Sequence, residues 1–162
     1  IGVKQLVQKY ENQNDDYSAI MIKAIADRLA EAFTERLHQR IRQEFWGYAA
    51  DEKLSKNDLI KEKYNGIRPA PGYPACPDHT EKQKIWDLLN VEKQTSISLT
   101  ESFAMNPAAS VSGWYFAHPK SQYFSIGKIT KEQIADYAKR KNMDVDEAEK
   151  WLASSLDYNF EK

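Results

Sequence analysis

An α+β fold, a twisted antiparallel meander with a long N-terminal helix and flanking helices, is predicted by three observations on this sequence. Apolar residues recur every three or four positions up to about residue 46, alternate between about 96 and 128, and resume the helical period after Thr130. The links between the alternating stretches are too short for crossover helices, so their pairing is antiparallel. The chain has 162 residues, 41% of them hydrophobic, and is read as a single domain, 1–162, with enough apolar mass for a core.

In chain order, residues 1–14 are polar and lack a clear period beyond a short Val3, Leu6, Val7 turn. Asn14, Asp15 and Asp16 then offer caps to one long amphipathic helix with the stripe Ile22, Ala26, Leu29, Phe33, Leu37, Ile41 and Phe45. That helix runs for roughly 45 Å and stops near Trp46, where Gly47 supplies the break. Its polar face carries Asp27, Glu31, Glu35 and His38. Ser55 and Asp58 form a capping-box pattern for a short helix through about Tyr64.

Four of the six prolines then fall between Gly66 and His79, which excludes helix and central strand and predicts a stiff, extended loop. Thr80 with Gln83 is the expected cap of the next helix, facing inward through Ile85, Leu88 and Leu89. Three strands are expected over residues 97–105, 110–117 and 122–128. Thr130 with Gln133, and Asp144 with Glu147, open two final helices bearing Ile134, Tyr137, Ala138, Trp151 and Leu152.

Charge excludes several partners. Lys and Arg number 23 against 24 Asp and Glu, a net charge of -1, so there is no general field for nucleic acid or an anionic membrane. Apolar runs such as Ala19–Ile22 soon meet a charge, and no transmembrane span is expected. Cys76 is the sole cysteine, which rules out an internal disulfide and a thiolate zinc cage from this chain. With no signal peptide in the sequence, a cytoplasmic location is expected. A start at Ile1 leads us to expect a fragment or processed product.

Among candidate sites the Pro-rich loop is the most informative. It can be a rigid cover over a sheet edge, yet it holds Arg68, whose planar fork suits a carboxylate or phosphate. It also holds two glycines where backbone can approach a ligand, and prolines that fix the approach beforehand. A small anionic or zwitterionic ligand fits. Cys76 and His79 suggest a nucleophile and base, but spacing supplies neither an orienting group nor an oxyanion site, so a packed thiol and a loop histidine are preferred. Tyr123 and Phe124 point to opposite faces of a pleat, so one can pack while the other borders a pocket for a flat ring.

The stretch Arg68-Pro69-Ala70-Pro71-Gly72-Tyr73-Pro74-Ala75-Cys76-Pro77-Asp78-His79-Thr80-Glu81 resembles the C-terminal activation domain of cobalamin-dependent methionine synthase. Residues 27–33, 45–48, 99–105 and 111–115 resemble the same family, and the likeness spans about residues 15–158. It implies an S-adenosylmethionine-binding domain, part of a parent 5-methyltetrahydrofolate–homocysteine methyltransferase in methionine biosynthesis. In reactivation, oxidised cob(II)alamin is reduced by a flavodoxin or flavodoxin-like reductase and remethylated from S-adenosylmethionine. Cobalamin and zinc are then expected only on other modules, with the cobalamin-binding module as a partner and no catalytic residue or metal here.

By the same resemblance, Arg68, Gly72 and Tyr73 match the motif Arg-x-x-x-Gly-Tyr, and Arg68 with the Ala70 loop backbone would hold the methionine end. Tyr123 and Phe124 match a second contact; Glu31 and Glu62 match acidic positions near the pocket, and His79 lies at its edge. The family's further acidic contact comes from a segment upstream of this chain's start, so an incomplete site and an exposed edge that favours dimerisation are expected. Residues 153–156 also depart from the family's proline-containing pattern. The rival reading is a regulatory or scaffold domain that kept the fold without the ligand.

Overall fold

The computed structural model describes residues 2–160, which form two compact units. One comprises residues 1–65 and 91–111, the other residues 66–90 and 112–162. The mixed α+β class and the long N-terminal helix are borne out, with a small two-stranded antiparallel sheet.

The first unit is mainly helical. Helix α1 (Val3–Glu11) forms where only a short turn was expected, and packs on α2 (Asp16–Arg40). Asp15 caps α2 as predicted, its carboxylate accepting from the Ser18 amide at 3.0 Å. The helix then widens into a π turn, Ile41–Phe45, and breaks at Gly47, whose φ of +73° favours glycine.

The buried side of α2 differs from the predicted stripe. Leu29 and Phe33 are 65% and 67% exposed, whereas Ala19 and His38 are buried, as is Arg42 beyond the helix end. Length explains much of this: α1 spans about 13 Å and α2 about 37 Å, so one short helix cannot cover the long stripe. The Arg42 guanidinium makes two 2.8 Å bonds to Glu52 and lies 3.9 Å from the Tyr64 ring centroid. His38 meets the same ring edge-on at 5.0 Å.

Helix α3 (Lys56–Ile60) carries the complete Ser55–Asp58 capping box, and Ser55 and Lys63 hold the Asp58 carboxyl down at about 2. Lys63 contributes the larger share, through its hydrogen bond. The expected strand over residues 97–105 is instead a tight hairpin. Strand β1 (Ser98–Leu99) turns at Thr100–Phe103 and pairs antiparallel with β2 (Met105–Asn106). Phe103 adopts φ +57°, and the Thr100 hydroxyl accepts from the Ala104 amide at 3.1 Å. That turn contains neither Gly nor Pro, which is why alternation alone read through it.

In the second unit, α4 (Lys82–Leu89) buries Ile85 and Trp86 while Leu88 is 84% exposed, correcting the predicted Leu88 and Leu89 face. Its entry is a 3₁₀ turn, His79–Glu81, capped by Asp78 and not by Thr80. The short helix α5 (Val91–Thr95) follows in the first unit. Residues predicted as strands over 110–117 and 122–128 remain largely irregular; Ile67 and Phe116 form an isolated antiparallel bridge.

The second unit's core lies between α6 (Lys131–Lys141) and α7 (Val145–Leu152). Ile134, Ala138, Ala148, Leu152 and Leu156 cluster there, with Tyr137 and Met143 packed alongside. Thr130 and Gln133 close both bonds of the predicted capping box. The Ile129 amide donates to the Ser155 carbonyl at 2.9 Å, tying the chain end back to the start of α6.

Candidate functional site

The Pro-rich loop is braced at successive residues within the second unit. Ile67 and Phe116 exchange two backbone bonds of 2.9 Å, and the Trp114 amide donates to the Pro69 carbonyl at 2.9 Å. Between these anchors the Arg68 amide donates to the Tyr123 hydroxyl at 3.0 Å. A Cβ on Gly113 would stand 2.6 Å from the Pro69 oxygen, so the close backbone approach requires glycine there. Pro69 and Pro71 are buried, which makes part of the loop a structural element in its own right.

Beyond Pro71 the chain reverses. The Gly72 amide donates to the Cys76 carbonyl at 2.7 Å, and the Cys76 amide to the Tyr73 carbonyl at 2.8 Å. Gly72 has φ +96°, and the His79 ring sits against its α-carbon: a Cβ would lie 2.3 Å from Cε1. Both the backbone conformation and the ring demand glycine. His79 Nδ1 lies 2.7 Å from the Lys82 ammonium, which makes Nδ1 the acceptor and leaves the ring proton on Nε2. Burial and the Lys82 charge both push the His79 imidazole below its ordinary range.

Asp78 anchors the end of the loop. Its carboxylate accepts from the Thr80 amide at 2.8 Å and the Thr80 hydroxyl at 2.7 Å, and also from Tyr137 and Lys141. Burial alone would raise the Asp78 carboxyl, but the hydrogen bonds from Lys141, Tyr137 and Thr80 overcome it and hold the group below its usual value. Burial would lower Lys141, and its bonds to Asp78 and Glu81 reverse the direction. Cys76 is pushed up by burial, with the negative charges of Glu81 and Asp78 adding to it. It remains a neutral thiol, a poor nucleophile.

The structure thus brings Arg68, Ala70, Gly72, Tyr73, Tyr123 and Phe124 into one unit, with Arg68 and Tyr123 in direct contact. Tyr73 and Phe124 expose 63% and 59% of their surface, so both rings are open to a ligand. Glu31 and Glu62 belong to the other unit, where both are exposed. Sequence reasoning missed Asp78, Tyr137 and Lys141. The available signal was Asp78 two residues before Thr80, a side-chain-to-backbone turn pattern; nothing in the spacing points 59 residues ahead to Tyr137. A separate cleft of about 620 Å³ in this unit is lined by Cys76, Asp78, Ile126, Ile134, Tyr137 and Leu152, among others.

A braced glycine turn, an arginine tied through its amide to a tyrosine hydroxyl, and exposed aromatic residues make up the candidate site of an α+β protein. Residues 1–142 match the family described as "Vitamin B12 dependent methionine synthase, activation domain", and the chain belongs to that family. The chain is also similar to a solved structure described as "Crystal Structure of the MetH Reactivation Domain bound to AdoHcy", at 60% identity and a TM-score of 0.94. That match covers 97% of this chain and 48% of the other, so this chain spans about half the length of that relative. Among the described residues, no helix is long and apolar enough to cross a membrane.

Proposed function

We propose that this chain binds S-adenosylmethionine through the Arg68–Tyr73 loop together with Tyr123 and Phe124. The observation that carries the reading is the 3.0 Å bond from the Arg68 amide to the Tyr123 hydroxyl, which joins two segments 55 residues apart. The donor set suits the ligand: the Arg68 guanidinium offers a fork to a carboxylate, and the loop supplies backbone groups around Ala70 and Gly72. The open faces of Tyr73 and Phe124 suit a flat ring or a sulfonium cation. The binding of AdoHcy by a relative of 60% identity supports the same class of ligand.

When bound, S-adenosylmethionine supplies an electrophilic methyl group on sulfur. The residues of this chain bind and orient; none is assigned a covalent or proton-transfer step, and Cys76 is a passive thiol. The reading places the chain in the reductive reactivation of a cobalamin-dependent methionine synthase, in the cytoplasm. Its partners are then a cobalamin-binding module and a flavodoxin-type reductase, with cobalamin and zinc held elsewhere on the parent enzyme. Residues 1–162 are read as part of one such domain, in keeping with a relative of about twice the length.

Calorimetric titration with S-adenosylmethionine tests the proposal. Arg68→Ala is expected to weaken binding by about 2 kcal/mol with little change in melting temperature, since a charge-assisted contact on a loop is lost. Unchanged affinity would refute the assignment of Arg68. Equal affinity for an unrelated zwitterionic amino acid would favour the scaffold reading.

A further inference from the structure

The strongest unassigned feature is a cluster of charged and phenolic groups where α6 meets the end of the Pro-rich loop. Lys141 donates to Asp78 and to the Thr80 hydroxyl, and lies 2.7 Å from Glu81. Tyr137, one helical turn earlier, donates its hydroxyl to Asp78 and stands 3.3 Å from the Lys141 ammonium. The Lys141 and Asp78 side chains are only 13% and 4% exposed. One ammonium thus grips residues 78, 80 and 81, on both sides of His79. The His79 ring in turn rests on Gly72, and its Nδ1 is held by Lys82.

We infer that Lys141 and Tyr137 are positioning residues for the ligand loop, acting through Asp78 and His79 to hold the Gly72–Cys76 turn in its binding geometry. This rests on the proposed function for its consequence in affinity, but not for its structural content. The physical argument is one of linkage through rigid groups. The 3₁₀ turn His79–Glu81 is only three residues long and cannot fix its own backbone, so its cap and the cation behind that cap must do so. Gly72, at φ +96° with no side chain, has wide conformational freedom; the His79 ring removes much of it. A ligand meeting a loop already ordered loses less free energy on binding. The anchor is drawn from the well-packed core helix α6, where Ile134 and Ala138 are 0% and 1% exposed.

The test uses the 162-residue chain and two independent readouts. The first, without ligand, is hydrogen exchange of the Gly72 amide, with the Ala138 amide as a reference for α6, and the ¹⁵N signals of the His79 ring. The second is calorimetric affinity for S-adenosylmethionine. Lys141→Met is expected to speed Gly72 exchange by roughly tenfold, leave Ala138 unchanged, and weaken binding by roughly tenfold. Tyr137→Phe, which removes only a hydroxyl, should act in the same direction and smaller, and serves if Lys141→Met fails to fold. Lys141→Arg, which keeps the charge but replaces the compact ammonium with a planar fork, should recover only part of the affinity. Arg140→Met, whose partner Asp136 lies on the same helix, should leave both readouts unmoved.

Wild-type Gly72 exchange and His79 signals in both variants would overturn the inference. So would an equal rise at Gly72 and Ala138, which means general loosening of the unit. A loosened Gly72 with undiminished affinity would overturn the positioning role while Arg68→Ala still reports on the site. If the wild-type chain does not bind but Gly72 loosens as expected, the anchoring stands and the ligand assignment alone fails.

Discussion

Each unit of the molecule holds a buried ion pair beside a tyrosine, and the two are built differently. In the first, Arg42 meets Glu52 through a two-bond fork and lies over the face of Tyr64, with side-chain exposures of 0% for the arginine and 8% for the glutamate. Its Nη1 has no hydrogen-bond partner among the described residues, so the ring face takes the place of a third acceptor. In the second, the Lys141 ammonium is a point charge shared among Asp78, Glu81 and Thr80, and Tyr137 joins through its hydroxyl instead of its ring. The fork locks one partner in one plane. The point charge gathers several partners from neighbouring backbone positions, which suits it to holding a turn.

The largest expected effect comes from breaking the fork. Arg42→Met leaves Glu52 buried without its cation and should cost about 3–5 kcal/mol in urea unfolding. Arg42→Lys keeps the charge but loses the planar pair of bonds and the ring contact; a cost of about 1–3 kcal/mol is expected. Equal stability of wild type and Arg42→Lys would show that the fork geometry contributes nothing.

Acid separates the second pair. The Asp78 carboxyl is held below its usual value, so its contribution to stability is present above the ordinary carboxylate pKa of about 3.9 and is lost as pH falls through the lower, folded-state value. Wild type should therefore lose stability below about pH 4 by a component that Asp78→Asn lacks. Parallel urea midpoints for the two proteins from pH 6 to pH 2.5 would contradict this. The smallest effect is expected at an exposed polar motif that belongs to neither pair. Thr130→Ala opens the capping box of α6 and should cost about 1 kcal/mol, read as a small fall in melting temperature.

Much of the fold was legible because local rules decide it. Asp15, Ser55 and Thr130 cap helices as their side chains dictate, and the four loop prolines exclude regular structure wherever they stand. The core of α6 and α7 was visible in the spacing of Ile134, Ala138 and Leu152. The candidate site was legible in part: Arg68, Gly72 and Tyr73 stand in one short motif, whereas Tyr123 meets Arg68 only through a bond formed across 55 residues. The apolar stripe of α2 misled, because periodicity reports which residues share a face and not whether another element covers it.

Sequence by itself determined where α2, α3, α6 and α7 begin, where the stiff loop lies, the α+β class and the likeness to the activation-domain family. These depend on neighbouring residues, or on an unbroken string of them. Only the tertiary structure decided that His38 and Arg42 are interior, that Asp78 rather than Thr80 caps the turn after the loop, and that Lys141 stands behind it. Those outcomes follow from which distant groups can satisfy a buried charge, and that choice exists only once the chain has folded.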